Sequence, residues 1–375
     1  MNKKEIAEIK KLMNKDRVVI NRMAGCYVNG EKEKVMTFKE SLLALPEEEM
    51  TKYLDIFRKA LSGSVGRNLL NLGFPLEAEQ PGGTHSRLME LRACELKDDD
   101  LLNGFYDTII ETWYHPENYL ILIVNGAYDV PGKTADGMEM EDASSEVYHF
   151  VQCCLCPVEL SKTALCYNAE TNHIEETLRD WIVGMPEQAF LFPAFNDRGT
   201  DLHSLLYYSG DSKEFCTELM ENLLGCKEPL TATNQKAAFR TLVEEALGDE
   251  SSYEKIRSIH ENLNEMIDEN KAEPEPLTIG QAEVKTLLTR AGASDEAISR
   301  MEERFTEDFG ETGDFLAANV AEPKKFEVSA PEVSVKVSPE FADLMEIKEI
   351  DGASCLVIPL TGEVEVNGIL VREKG

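Results

Sequence analysis

The chain has 375 residues and a formal net charge of -32, from 38 Lys and Arg against 70 Asp and Glu. Such an acidic composition excludes a protein whose whole surface is coated by nucleic acid, because phosphate neutralisation needs clustered cations. The chain is longer than a single hydrophobic core usually organises, which predicts roughly two to three domains. The longest apolar runs, 119–124 and 150–158, are far shorter than the ~20 residues of a membrane helix, and residues 1–17 lack the apolar core of a secretory signal. We therefore predict a cytoplasmic protein with no membrane association.

Charge is distributed unevenly along the chain. Residues 1–75 hold 14 Lys and Arg against 10 Asp and Glu, whereas the remaining residues hold 24 against 60. A short helix predicted over 2–13 carries four of the cations, which are Lys3, Lys4, Lys10 and Lys11. A lysine-rich helix face is typically solvated and nothing more, but this is also the sizeable basic segment that could contact DNA or another acidic partner.

The first half of the chain alternates between helix and strand patterns. Asn29-Gly30, between two β-rich runs, predicts a hairpin with a type I′ turn, since both residues tolerate positive φ. Pro46 followed by three Glu predicts a helix start, and Gly63 predicts its end. Two further helices are predicted within 84–114. Three apolar runs predict strands buried on both faces, at 118–130, 146–158 and 189–195.

From residue 211 onward the apolar period becomes helical. The acidic stretch 269–278, with two prolines, predicts a linker, and a helical hairpin over 278–291 and 294–309 follows, turning at Gly292. Residues from 324 alternate as strands, with turns predicted at Asp351-Gly352 and Asn367-Gly368. We therefore predict an α+β fold with a mixed sheet flanked by helices, then a linker, a helical hairpin and a small β-rich C-terminal region. The predicted bounds are 1–268, 269–278, 279–322 and 323–375.

The stretch FVQCCLCPVELSKTALC, residues 150–166, places four cysteines in a pattern that raises the question of a metal site. Cys153 and Cys156 form a C-x-x-C, which four further side chains could complete for zinc, namely Cys154, Cys166, His149 and His173. Side chains alternate along a strand, however, so Cys153 and Cys156 would face opposite sides of the predicted sheet. We therefore predict buried core thiols, no bound metal and no cofactor.

A second polar cluster follows the third apolar run, in FLFPAFNDRGTDLHSLLYYS, residues 190–209. Asp197, Arg198, Asp201 and His203 come where a strand ends, and functional sites often lie at such edges. Asp201 and His203 could act as an acid-base pair or ligate a metal, and Arg198 could hold an anion. In the alternative, structural interpretation, Asp197 or Asp201 caps the next helix and Arg198 forms an ion pair. We favour the structural interpretation because the spacing matches no catalytic motif.

Two resemblances to known families bear on function. Residues 25–63, 190–209 and 350–359 resemble a family of uncharacterised bacterial proteins, a domain of unknown function found in anaerobic Gram-positives. That resemblance covers nearly the whole chain and implies no activity. The order and spacing of residues 222–247 and 253–288 are similar to the later half of bacterial nucleoid-associated proteins of the NdpA type, which implies a DNA-associated role.

These features favour a non-enzymatic, nucleoid-associated-like binding protein that contacts DNA or a DNA-bound nucleoid protein through the four lysines of the N-terminal helix. Two alternatives stay open. One is a hydrolase that uses the four residues of the polar cluster, and the other is an acidic adaptor that engages a basic protein. The sequence is compatible with a homo-oligomer but does not specify one.

Overall fold

In a computed structural model the chain divides into two compact units, Met1–Thr233 and Asn234–Gly375. The structure describes residues 1–16, 19–133, 139–176, 179–310, 313–322, 325–359, 364–366 and 369–371. The architecture is α+β, as predicted. The division falls at Thr233, ahead of the predicted boundary at 268, and the stretch 269–278 predicted as a linker lies inside the second unit.

The helices of the first unit follow the sequence patterns closely. They are α1 (Lys3–Leu12), α2 (Glu47–Ala60), α3 (Thr84–Ala93) and α4 (Asp99–Thr112), with a 3₁₀ turn at Leu42–Ala44 and a π-helix at Leu219–Leu224. Helix α2 begins directly after Pro46 and carries three Glu in its first turn, where the helix dipole favours negative charge. The helix start predicted at Pro46 is therefore confirmed.

One antiparallel sheet dominates the first unit. The strands described in this unit are β1 (Ile20–Val28), β2 (Lys34–Glu40), β3 (Leu69–Gly73), β4 (Asn118–Lys133), β5 (Glu139–Leu160), β6 (Leu165–Asn168), β7 (His173–Glu176), β8 (Trp181–Val183), β9 (Gln188–Phe192), β10 (Ala194–Asn196), β11 (Gly199–Asp201) and β12 (Ser204–Ser209). Eight of them form a sheet in the order β2-β1-β4-β5-β9-β12-β3, with β8 pairing to the end of β5. All of these pairings are antiparallel. The sheet is therefore antiparallel and differs in this respect from the mixed sheet that was predicted.

Both faces of this sheet are covered by helices. Along β5, Cys153 and Leu155 face a core that includes residues of α3 and α4, whereas Cys154 and Cys156 face a core that includes residues of α1 and α2. The central strands are thus buried on both sides, which confirms the interpretation of their continuous apolar runs. The first unit therefore has three layers, with the sheet between two layers of helices.

The hairpin predicted at Asn29-Gly30 is present between β1 and β2, but its turn differs from the prediction. The Asn29 side-chain oxygen accepts hydrogen bonds from the backbone N–H groups of Glu31 (3.0 Å) and Glu33 (2.9 Å). The residue with positive φ is Lys32, at 65°. A longer loop closed by the Asn29 side chain therefore replaces the two-residue type I′ turn.

The second unit has a helical core followed by strand hairpins. Its helices are α5 (Ala232–Leu247), which begins just before the division, α6 (Tyr253–Glu269), α7 (Gln281–Arg290), α8 (Asp295–Phe309) and α9 (Ala317–Val320), with 3₁₀ turns at Gly248–Glu250, Asn270–Ala272 and Pro339–Leu344. Its described strands are β13 (Thr278–Gly280), β14 (Asp314–Leu316), β15 (Phe326–Ala330), β16 (Val333–Val337), β17 (Glu346–Ile350), β18 (Ala353–Val357), β19 (Val364–Val366) and β20 (Ile369–Val371).

The turns of the second unit largely match the prediction. The helical hairpin turns at Gly292, which has φ 76°, but α7 begins at Gln281 because Thr278–Gly280 pairs with β14 instead. Asp351 and Gly352 have φ values of 52° and 79°, as a type I′ turn requires. The turn predicted at Asn367-Gly368 lies outside the described residues.

Candidate functional site

The polar cluster of residues 196–204 is a tight hairpin rather than an open loop. Strands β10 and β11 pair antiparallel, with Asn196 opposite Gly199. Asp197 and Arg198 fill the two turn positions and have φ values of 50° and 57°. Asp tolerates this left-handed region because its short polar side chain bonds locally, and such turns match the twist of the two strands. In the register of this hairpin, Asp201 pairs with Ala194, at the end opposite the turn.

Arg198 is held by the first helix of the chain. Its guanidinium donates to both carboxylate oxygens of Glu8 on α1, at 2.9 and 3.1 Å, and to the Pro131 carbonyl at 3.3 Å. The Tyr128 hydroxyl donates to the same Glu8 carboxylate at 2.9 Å. Burial and this carboxylate raise the pKa of Tyr128 to about 12. The ion pair that Arg198 could form with an anionic ligand is thus formed with Glu8 of the same chain.

Asp201 is engaged within its own loop. Its carboxylate accepts hydrogen bonds from the Ser204 hydroxyl (2.5 Å), the His203 backbone N–H (2.9 Å) and the Asn196 side-chain amide (2.6 Å). Burial opposes ionisation, but these three donors outweigh it and lower the pKa of Asp201 below its usual range. Asp201 therefore stabilises a turn, and not the start of a helix as the structural interpretation expected.

His203 contacts a different element again. Its Nδ1 lies 2.7 Å from Oε1 of Glu79, and 78% of its side chain is exposed. The hydrogen bond and charge of Glu79 raise the pKa of His203 above its usual value. Asp201 reaches His203 at its backbone N–H, and Glu79 is the carboxylate on its ring. The Arg198 guanidinium, the Asp201 carboxylate and the His203 imidazole thus have three separate sets of hydrogen-bond partners.

Helix α1, which Glu8 and Arg198 hold in place, is strongly two-sided. Asn2 and Glu5 form a capping box: the Asn2 side chain accepts from the Glu5 N–H (3.1 Å), and the Glu5 carboxylate accepts from the Asn2 N–H (2.7 Å). Ile6, Ile9 and Leu12 are buried in the sheet core. Both acidic residues of the helix are therefore used inside the protein, Glu5 in the cap and Glu8 with Arg198.

The outward side of α1 carries the four predicted lysines. Lys3, Lys4 and Lys11 are exposed and Lys10 is half-buried. None of the four makes an ion pair within the part of the chain that the structure describes. Two of them, Lys10 and Lys11, line an open depression of about 540 Å³ together with Arg58 of α2. We name these four lysines the lysine face. Arg58, which lines the same depression, is paired with Asp55 of its own helix and is not part of this face.

Comparison with known proteins adds a family but no activity. A family model described as Domain of unknown function (DUF4317) matches residues 1–369. The chain belongs to this family. No curated protein matches the chain. The expected membership of an uncharacterised family is thus confirmed, whereas the similarity to NdpA-type proteins stays a hypothesis.

The cysteine run of this DUF4317 chain is buried inside the sheet. Cys153 lies in one core, and Cys154 and Cys156 lie in the other, so the C-x-x-C pair points to opposite faces as alternation predicts. Burial raises the pKa of Cys156 to about 12 and that of Cys153 and Cys154 well above the usual range. Metal binding and nucleophilic attack both need the thiolate, which this environment disfavours. Within the described residues, no group of three or more His, Cys, Asp or Glu side chains is placed to hold a metal ion.

Membrane insertion was a further question for the apolar runs of this DUF4317 chain. They form sheet strands, and no helix in the described part of the chain is both long and apolar enough to cross a membrane.

Proposed function

We propose that this protein is a non-enzymatic binding protein whose lysine face contacts DNA or a DNA-bound partner such as a nucleoid protein. The observation that carries the proposal is the sorting of charge on α1. Its two carboxylates are used internally, whereas its four lysines point outward without an ion pair in the described residues. A helix with two Glu and four Lys thereby presents a cationic side to solvent.

Helix stability explains the position of only two of the four lysines. Lys10 and Lys11 lie in the last turn, where the helix dipole favours cations. Lys3 and Lys4 lie in the first turn, where the dipole disfavours positive charge by a few tenths to ~1 kcal/mol each. Their presence there has no explanation in helix stability, which supports a role in binding.

The acidic remainder of the chain sets the mode of binding. Outside residues 1–75 the chain holds 24 Lys and Arg against 60 Asp and Glu, so the rest of the surface repels phosphates. Contact is therefore confined to the lysine face, and it involves phosphates rather than base edges. Binding should be weak and independent of DNA sequence. With about 0.9 counterions released per contact, four contacts give log affinity against log salt a slope near -3.6.

A fluorescence anisotropy titration of a short labelled duplex at several salt concentrations tests this proposal. The wild-type chain should bind with that slope, and changing all four lysines of the lysine face to Gln should abolish binding at physiological salt. The matched control changes four other exposed lysines to Gln, namely Lys271, Lys285, Lys336 and Lys348. This control removes the same total charge and should bind like the wild type.

The outcomes separate the remaining hypotheses. No binding by the wild type at low salt rules out direct contact, and leaves a DNA-bound partner or the acidic adaptor. Equal loss in the control and the test variant shows that net charge, not the lysine face, governs binding. A pull-down from the native cell with and without nuclease treatment then distinguishes partners bridged by DNA from direct ones. The hydrolase alternative draws less support, because the Arg198 guanidinium, the Asp201 carboxylate and the His203 ring are engaged with separate partners.

A further inference from the structure

The second unit contains a cavity of about 610 Å³ that the lysine face does not explain. Its walls are one face of α5, one face of α6 and the chain around β15. On α5 the lining residues recur at helical spacing, as Lys236, Phe239 or Arg240, and Val243. The volume lies in the range of about 300 to 1,000 Å³ that is typical of small-molecule sites.

The cavity walls combine apolar surface with a histidine ring that has no hydrogen-bond partner among the described residues. Phe239 and Val243 are buried members of the helical core, and the Phe326 ring stands edge-on to the imidazole of His260 at 6.4 Å between centroids. The ring nitrogens of His260 make no hydrogen bond within the described part of the chain. Burial lowers the pKa of His260, so the ring is neutral near pH 7 and offers one donor and one acceptor.

Most of the charged side chains around the cavity form ion pairs with each other or with their neighbours. The charged side chains that make no ion pair among the described residues are the candidates for binding a ligand. Glu322 pairs with Lys236, Glu327 with Lys325, and Glu261 with Arg257. Two charged lining residues of α5 make no ion pair within the described residues: Arg240 and Glu244, which are both exposed at the rim. Arg240 is the cation that presents a planar, bidentate donor, which suits carboxylate, sulfonate and phosphate groups.

We propose that this cavity binds a small organic anion with an apolar, ring-sized body. The body lies against Phe239, Val243 and Phe326. The acidic group lies at the rim with Arg240, and His260 supplies a further hydrogen bond. Glu244 lies one helical turn from Arg240 on the same helix, so it repels the acidic group and limits affinity. This site is independent of the lysine face and of any DNA contact.

Two dyes that differ in one group test the proposal. 8-Anilinonaphthalene-1-sulfonate has an aromatic body and a sulfonate, and N-phenyl-1-naphthylamine has the same ring system without the charge. Titration of the full chain by fluorescence should show saturable binding of one sulfonate dye per chain. Arg240→Gln should weaken the sulfonate dye about tenfold, the loss of one charge-assisted contact, and leave the neutral dye within about twofold. Glu244→Gln should tighten the sulfonate dye alone.

Further variants locate the site. Ile256→Trp places a larger side chain in the α6 wall and should abolish binding of both dyes. Ser329→Trp, at an exposed rim position, is the second blocking variant, which keeps the test decisive if Ile256→Trp does not fold. Two controls should bind both dyes like the wild type: Arg290→Gln, which removes an arginine elsewhere in the second unit, and Trp181→Ser, which removes an exposed aromatic side chain of β8.

Some results of the same titration would overturn the proposal. Absence of saturable dye binding overturns it, as does an Arg240→Gln variant that binds the sulfonate dye like the wild type. Dye binding that persists in a folded Ser329→Trp variant and is lost in Trp181→Ser assigns the dye to the exposed strand β8 and overturns it too. Displacement of the dye by benzoate or by phenyl phosphate supports it, and because both competitors carry one phenyl ring, their relative strength distinguishes a carboxylate from a phosphate monoester. Displacement by neither overturns it.

Discussion

The two sides of α1 use charge in opposite ways. On the inner side, Glu8 is 77% covered and bound to Arg198, and Ile9 is fully buried. On the outer side, the lysine face has no ion pair in the described residues. A charge that is covered must be paired, because water no longer solvates it, whereas an exposed lysine loses little by staying unpaired. We therefore expect changes on the inner side to affect folding and changes on the outer side to affect binding.

The largest expected effect is at Ile9. Ile9→Ala should lower the free energy of unfolding of the first unit by about 2 to 5 kcal/mol, since it leaves a cavity between helix and sheet. Both tryptophans, Trp113 and Trp181, lie in the first unit, so tryptophan fluorescence during urea unfolding reports on that unit. The matched control on the outer side, Lys11→Ala, should change stability by no more than about 0.5 kcal/mol. A similar cost for both variants would contradict the two-sided assignment.

A smaller loss is expected at the ion pair. Arg198→Met leaves the Glu8 carboxylate covered without its cation and should cost about 2 kcal/mol, less than for a fully buried pair because water still reaches both side chains. Glu8→Gln combined with Arg198→Met should recover much of that loss, since no covered charge then remains. The double-mutant cycle, followed by urea unfolding, gives the coupling energy. A coupling near zero would show that the contact does not hold α1.

Sequence patterns predicted local features well because helix and strand periods are properties of neighbouring residues. The helix after Pro46, the buried strands around Cys153 and the turn at Gly292 all depend on residues close in sequence. The turn type predicted at Asn29-Gly30 was wrong, because the Asn29 side chain closes a longer loop. Strand order and the antiparallel character of the sheet depend on pairing across the chain, which no local pattern encodes.

The candidate sites show the same limit more sharply. Clustered lysines in residues 1–11 could be recognised from composition alone, and their function stays a prediction. Arg198 could not be assigned, because its partner Glu8 lies 190 positions away in sequence. An arginine in a loop after a strand has the same sequence pattern whether it faces a ligand or a carboxylate of its own chain. The cavity near His260 was likewise invisible, since it forms only where α5, α6 and β15 meet.

The smallest expected effect concerns His203, whose ring is exposed and paired with Glu79. The folded pKa is raised above the unfolded value of about 6.5, so the folded chain binds the proton more tightly. This contribution to stability is fully present below that unfolded pKa and is lost as pH rises through the folded pKa. An NMR titration of the ring should give a pKa above the usual value, and Glu79→Gln should lower it. Asp201→Asn should lower it less, because Asp201 binds the backbone N–H of His203 and not the ring. If Asp201→Asn had the larger effect, the imidazole would be coupled chiefly to Asp201, and the hydrolase alternative would regain its acid-base pair.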